Sequence, residues 1–126
     1  MNKIGIIGIG MLGNAVALHL LDVGFQVTIF NRTKEKAIQL KEKGAIIATS
    51  PKDVAIKSEL VIIIVKDANA VKEVSFENNG IIEGAHDGLI IADMSTIDPL
   101  ESKQISERFL KNNINKLDIP VMGGPN

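Results

Sequence analysis

Gly8-Ile9-Gly10-Met11-Leu12-Gly13 sets three glycines at the spacing G-x-G-x-x-G, between a β-branched run and an apolar pattern of helical period. In that context the spacing suits phosphate binding, because each glycine answers a different requirement. Gly8 permits a tight turn, Gly10 lets a pyrophosphate approach the backbone, and Gly13 lets the helix pack closely on the strand. The helix opening at Met11 then offers unpaired N–H groups and a partial positive charge to the phosphates. Taken alone, the six residues also fit a glycine-rich structural turn that holds no ligand.

A second group stands about 20 residues on, at the end of the next apolar run, where Phe30 is followed by Asn31-Arg32-Thr33 and, one turn later, Lys36. A site for NAD usually carries Asp or Glu at this point to accept hydrogen bonds from the ribose 2′-hydroxyl. No carboxylate stands here to repel a phosphate. Arg32 suits stacking on adenine and binding a 2′-phosphate, and Thr33 suits donating a hydrogen bond to it. The segment points to NADP. NAD is the alternative, because Asn31 is also able to bind a free 2′-hydroxyl, and a solvated Arg beside a Thr helix cap is the purely structural reading.

The remaining reactive side chains form no catalytic group. His19 falls on the flank of an apolar helical stripe, and His86 falls in a loop. Asp93 and Asp118 end strands, where they suit binding of backbone N–H groups. Nothing assembles a Ser–His–Asp arrangement or a metal site, so no catalytic residue and no metal ligand is assigned. The chain has no cysteine, which removes disulfides, thiolate catalysis and Cys-ligated metals and suits a reducing cytoplasm. With 14 basic and 15 acidic residues, its net charge of −1 gives no electrostatic case for nucleic acid or an anionic membrane.

These residues need elements to position them, and strand and helix signals alternate along all 126 residues. Strands are expected over residues 4–9, 25–30, 45–48, 60–65, 89–92 and 114–119. Helices are expected from Met11, over 33–43, from Ser50-Pro51, over 68–75 and from Asp98-Pro99. Gly24 and Gly44 stop the first two helices. Ser50 can cap the third, with Asp53 at the capping-box position. The unbroken run 60–65 suits a strand buried on both faces. Six strands alternating with five helices imply parallel βαβ units, hence one α/β domain with a doubly wound Rossmann-type sheet in the order 3-2-1-4-5-6 and helices on both faces. The apolar stretch 4–21 is broken by Gly5, Gly8, Gly10, Gly13, Asn14 and His19, so it is not read as a targeting segment or membrane span.

The order GIGMLGNAVALHLLDVGFQV, FNRT, GAIIATSP, VIIIVKDANAV, IIADMSTIDP and LDIPVMGG resembles the β-hydroxyacid dehydrogenases. This group includes 3-hydroxyisobutyrate dehydrogenase, glyoxylate/succinic semialdehyde reductase and, more distantly, 6-phosphogluconate dehydrogenase. The resemblance implies that residues 8–13 hold the pyrophosphate and that Asn31, Arg32 and Thr33 take the adenosine ribose or its phosphate. It places Val65 and Lys66 over the nicotinamide half of the cofactor. It sets Ser95 and Thr96 near the nicotinamide and a substrate carboxylate, and Met122, Gly123 and Gly124 in the substrate-binding loop. Met122 departs from the family's usual Ser, which removes one side-chain hydrogen bond to substrate.

The same resemblance puts the family's catalytic Lys on a helix beyond this loop, with a helical substrate and dimerisation domain after it, and no residue here matches that Lys. The expectation is the NADP-binding domain of a 3-hydroxyacid dehydrogenase or semialdehyde reductase, inactive by itself toward a small carboxylate substrate. An imine reductase-like cofactor domain and a non-catalytic dinucleotide-binding module are the competing readings. An apolar sixth strand left at the sheet edge is expected to promote self-association.

Overall fold

The computed structural model describes residues 1–119. Strands β1 (Lys3–Ile7), β2 (Gln26–Phe30), β3 (Ile46–Ile47), β4 (Leu60–Ile63), β5 (Ile90–Asp93) and β6 (Asn115–Asp118) alternate with helices α1 (Met11–Asp22), α2 (Lys34–Glu42), α3 (Pro51–Lys57), α4 (Ala68–Phe76) and α5 (Pro99–Leu110). All five strand pairings are parallel, and the order is β3-β2-β1-β4-β5-β6, as the alternation predicts. The chain is a Rossmann-type α/β domain.

Successive residues of a strand face opposite sides of the sheet, and the core divides accordingly. Ile6, Val27, Ile29 and Ile62 pack with Ala17 of α1 and with Ala37 and Leu40 of α2. Ile7, Val61, Ile63 and Ile91 pack on the other face with Val54 of α3, Val71 of α4, and Ile105 and Phe109 of α5. The central strands are thus buried on both sides, which explains their unbroken apolar runs. At the edge, β6 leaves Leu117 and the following Ile119 exposed.

Two strands end earlier than the apolar runs suggest, and for a definite reason. Gly8 N–H still donates to Phe30 O at 3.0 Å and Ile64 N–H to Ile7 O at 2.9 Å, after which both chains leave the sheet. Val65 N–H then donates to the Ser95 hydroxyl at 2.9 Å rather than to a strand carbonyl. A single 3₁₀ turn over Ile81–Gly84, which no sequence signal announced, buries Ile81 against α3 and α4.

The start of α3 carries the expected cap in altered form. Ser50 Oγ accepts from Asp53 N–H at 3.1 Å, while the Asp53 carboxylate reaches past Ser50 to accept from Thr49 N–H at 3.0 Å. Lys57, one turn on, donates to the other Asp53 oxygen at 2.7 Å. The Lys57 hydrogen bond, with the Thr49 N–H behind it, holds the Asp53 carboxyl below its ordinary value against the opposing effect of partial burial. A depressed folded-state value contributes stability above the unfolded value of 3.8 and loses it as pH falls through the folded value. Asp53→Asn is therefore expected to lower the melting temperature at neutral pH, with the gap to wild type closing below pH 3.8. Thermal denaturation followed across that range checks this, and a pH-independent gap would contradict it.

Candidate functional site

Strand order reverses between β1 and β4, so the chains leaving their C-terminal ends diverge to opposite faces of the sheet. A cleft of about 650 Å³ opens there. Gly8, Ile9 and Gly10 line it from the end of β1, Asn31 and Arg32 from the end of β2, and Val65 and Lys66 from the end of β4. Seven of the residues expected to bind cofactor are thereby brought together.

The three glycines of the loop behave differently. Gly8 has φ +103°, and a Cβ on it would lie 2.0 Å from Ile64 O. A Cβ on Gly13 would lie 2.2 Å from Gly8 O, so that glycine is required by the approach of α1 to the loop. Gly10 has an ordinary extended backbone (φ −93°, ψ −160°), and a Cβ there would meet nothing within 4 Å. Neither backbone conformation nor packing within the protein calls for glycine at this position. It clears space on the wall of the cleft, at the N-cap of α1.

That N-terminus has no side-chain cap and no acidic residue in its first turn, which leaves Met11, Leu12 and Gly13 N–H without intrahelical acceptors at the positive end of the helix dipole, next to Gly10 but outside the main cleft lining. Ile9 N–H is not among the available donors, because it donates to Asn31 Oδ1 at 2.9 Å. The Met11 side chain is exposed and Leu12 is half-buried.

Asn31 is engaged at both ends of its amide. Its Oδ1 takes the Ile9 N–H and its Nδ2 donates to Thr33 O at 2.9 Å, so the side chain ties the glycine loop to the β2–α2 turn. Arg32 crosses the cleft, and one guanidinium nitrogen donates to both Glu73 carboxylate oxygens at 2.9 and 2.8 Å. Thr33 stands exposed at the N-cap of α2 without making the capping bond.

Beyond β4 and β5 a second polar network fixes the loops. Ser95 is buried, its Oγ accepts from Val65 N–H, and its own N–H donates to Asp93 Oδ1 at 2.9 Å. The Asp93 side chain faces the buried Lys116 ammonium, 3.7 Å away, which donates to Ser102 Oγ at 3.2 Å, to Ser106 Oγ at 3.1 Å and to Asp118. The Ser95 hydroxyl thus holds backbone rather than facing the cleft. Thr96 is exposed beside it and lies outside the main cleft lining. Met122, Gly123 and Gly124 lie outside the described residues.

His19 is exposed on α1. His86 has a structural role in its loop, with Nε2 lying 2.8 Å from Ser58 O and 3.1 Å from Ala55 O. Sequence reasoning missed the opposite wall, which comprises Thr49 and Ser50 before α3, Glu73 on α4 and Glu77 at its C-cap. The signal available was the i, i+4 spacing of two acids at the end of the helix that follows β4, which a doubly wound order brings alongside the switch point.

Among the described residues no helix is long and apolar enough to cross a membrane. The geometry fits a dinucleotide: backbone cleared at Gly10, an uncapped helix N-terminus, and Arg32 and Lys36 lining the same cleft. Comparison with known proteins agrees. The chain is 40% identical over 121 residues to the uncharacterized oxidoreductase YkwC of Bacillus subtilis (strain 168), spanning 96% of this chain and 42% of YkwC. It is 35% identical over 121 residues to a probable mitochondrial 3-hydroxyisobutyrate dehydrogenase of Dictyostelium discoideum, spanning 96% of this chain and 38% of that protein. The structure of Psf3 in complex with NADP+ and 2-OPP superposes with a TM-score of 0.89 at 27% identity, covering 96% of this chain and 43% of that one. The chain thus spans about two-fifths of the length of these relatives. Residues 3–126 match the model of the NAD binding domain of 6-phosphogluconate dehydrogenase, and the chain belongs to that family of oxidoreductases.

Proposed function

We propose that the cleft binds NADP, with NAD as the weaker ligand, and that it does so for a dehydrogenase or reductase of small hydroxy or oxo carboxylic acids. The observation that carries this reading is Arg32 on the cleft wall at the end of β2, where no carboxylate replaces it. NADP+ in the Psf3 complex and the name of the Dictyostelium relative support the cofactor and the substrate class respectively.

Each residue then has a defined task. Met11, Leu12 and Gly13 N–H receive the pyrophosphate over the clear face of Gly10. Asn31 holds Ile9 and Thr33 in register, so its part is to position the loop, while Arg32 and Thr33 take the 2′-phosphate. Val65 and Lys66 cover the nicotinamide half, with the Ser95 hydroxyl fixing Val65 from below and Thr96 beside it. Met122, Gly123 and Gly124 anchor the substrate carboxylate. A bound nicotinamide supplies or accepts the hydride, and proton transfer falls to a lysine outside these 126 residues.

Titrating the chain with NADPH and with NADH at fixed ionic strength tests the reading. NADPH is expected to bind more tightly. A hydrogen bond between charged groups contributes roughly 1.5–3 kcal/mol, and the exposure of Arg32 favours the low end. Arg32→Ala should therefore weaken NADPH about tenfold while changing NADH less than about twofold. Equal or tighter binding of NADH by the wild type would overturn the NADP assignment.

A further inference from the structure

The carboxylate absent from the end of β2 stands on the other wall of the cleft. Glu73, on α4, meets the Arg32 guanidinium with both oxygens, and both side chains are open to solvent (53% and 75% exposed). An exposed pair of this kind is held weakly and opens readily for a stronger anion. The charged lining of the cleft is Arg32, Lys36 and Lys66 against Glu73 and Glu77, so one carboxylate decides much of its balance.

We propose that Glu73 is the specificity-determining residue that moderates this site's preference for a 2′-phosphorylated adenosine. A phosphate monoester carries about −1.5 to −2 charges near neutral pH. To reach Arg32 it must displace the Glu73 carboxylate and then remain beside it, whereas a free 2′-hydroxyl meets no such repulsion and has a carboxylate within the cleft to accept a hydrogen bond from it. Glu73 thus narrows the gap between the two cofactors from the α4 side, in the role that an acid at the end of β2 has elsewhere. The proposal rests on the assignment of Arg32 to the 2′-phosphate. It adds that the partner of Arg32 sets how strongly that assignment is expressed.

The test compares adenosine 2′,5′-bisphosphate with adenosine 5′-monophosphate, two probes that differ only by the 2′-phosphate, on wild type, Glu73→Gln and Arg32→Ala. Circular dichroism confirms that each variant is folded. Glu73→Gln is expected to raise the affinity ratio of bisphosphate to monophosphate by about three- to tenfold at low salt, with the gain shrinking as salt is added. An unchanged ratio, or an equal effect on both probes, would overturn the proposal and leave Glu73 as a solvated face. A lowered ratio would overturn it too, since Glu73 would then be presenting Arg32 to the phosphate. The Arg32→Ala arm separates the two claims. If that variant keeps the wild-type ratio, the NADP reading fails whatever Glu73→Gln does.

Discussion

The contact of Gly8 with the Ile64 carbonyl is the constraint on which the site depends. β1 and β4 lie side by side and parallel, and their chains must turn away from each other within one residue of leaving the sheet. Only a residue without a Cβ, at positive φ, fits against Ile64 O at that point. Gly13 then closes on Gly8 O, which seats the N-terminus of α1 beside the turn. The cleft is the space left by this divergence, with Gly10, the N-cap of α1, on its wall.

Around that turn the protein uses its polar side chains to hold backbone. Asn31 fixes Ile9, Ser95 fixes Val65, and Asp93 fixes Ser95 while facing the buried Lys116. The Asn31 and Ser95 links join the loops that follow neighbouring strands, and Asp93 braces the loop after its own strand. Such links keep the rims of β1, β2, β4 and β5 in fixed relation while the sheet beneath them ends raggedly. Charge exposed to the cleft comes from Arg32, Lys36, Lys66, Glu73 and Glu77, where solvent screens it and ligand affinity is tuned rather than fixed.

Much of this was legible in the residues. Alternation of β-branched runs with capped helices gave strand order, because right-handed parallel crossovers leave few other arrangements. The glycine spacing placed the turn and the helix start correctly at Gly8 and Met11. The direction in which a short polar side chain points was not legible. Asn31 and Ser95 read as ligand contacts, and what turns their side chains to the backbone is N–H groups 22 and 30 residues away in sequence. Glu73 was hidden for the same reason, since its partner lies 41 residues back and is met only once α4 lies along the switch point.

The account is tested most directly at Gly10. A titration of the chain with NADP+, followed by backbone-amide resonances, should move Gly10, Met11, Leu12 and Gly13 most, with Ile9 responding little because Asn31 already holds its N–H. Gly10→Val, which fills the cleared face without meeting another protein atom at its Cβ, should leave the fold intact and abolish those shifts. Undiminished binding by Gly10→Val, or shifts that avoid the start of α1, would contradict the claim that the open face of Gly10 exists for a pyrophosphate.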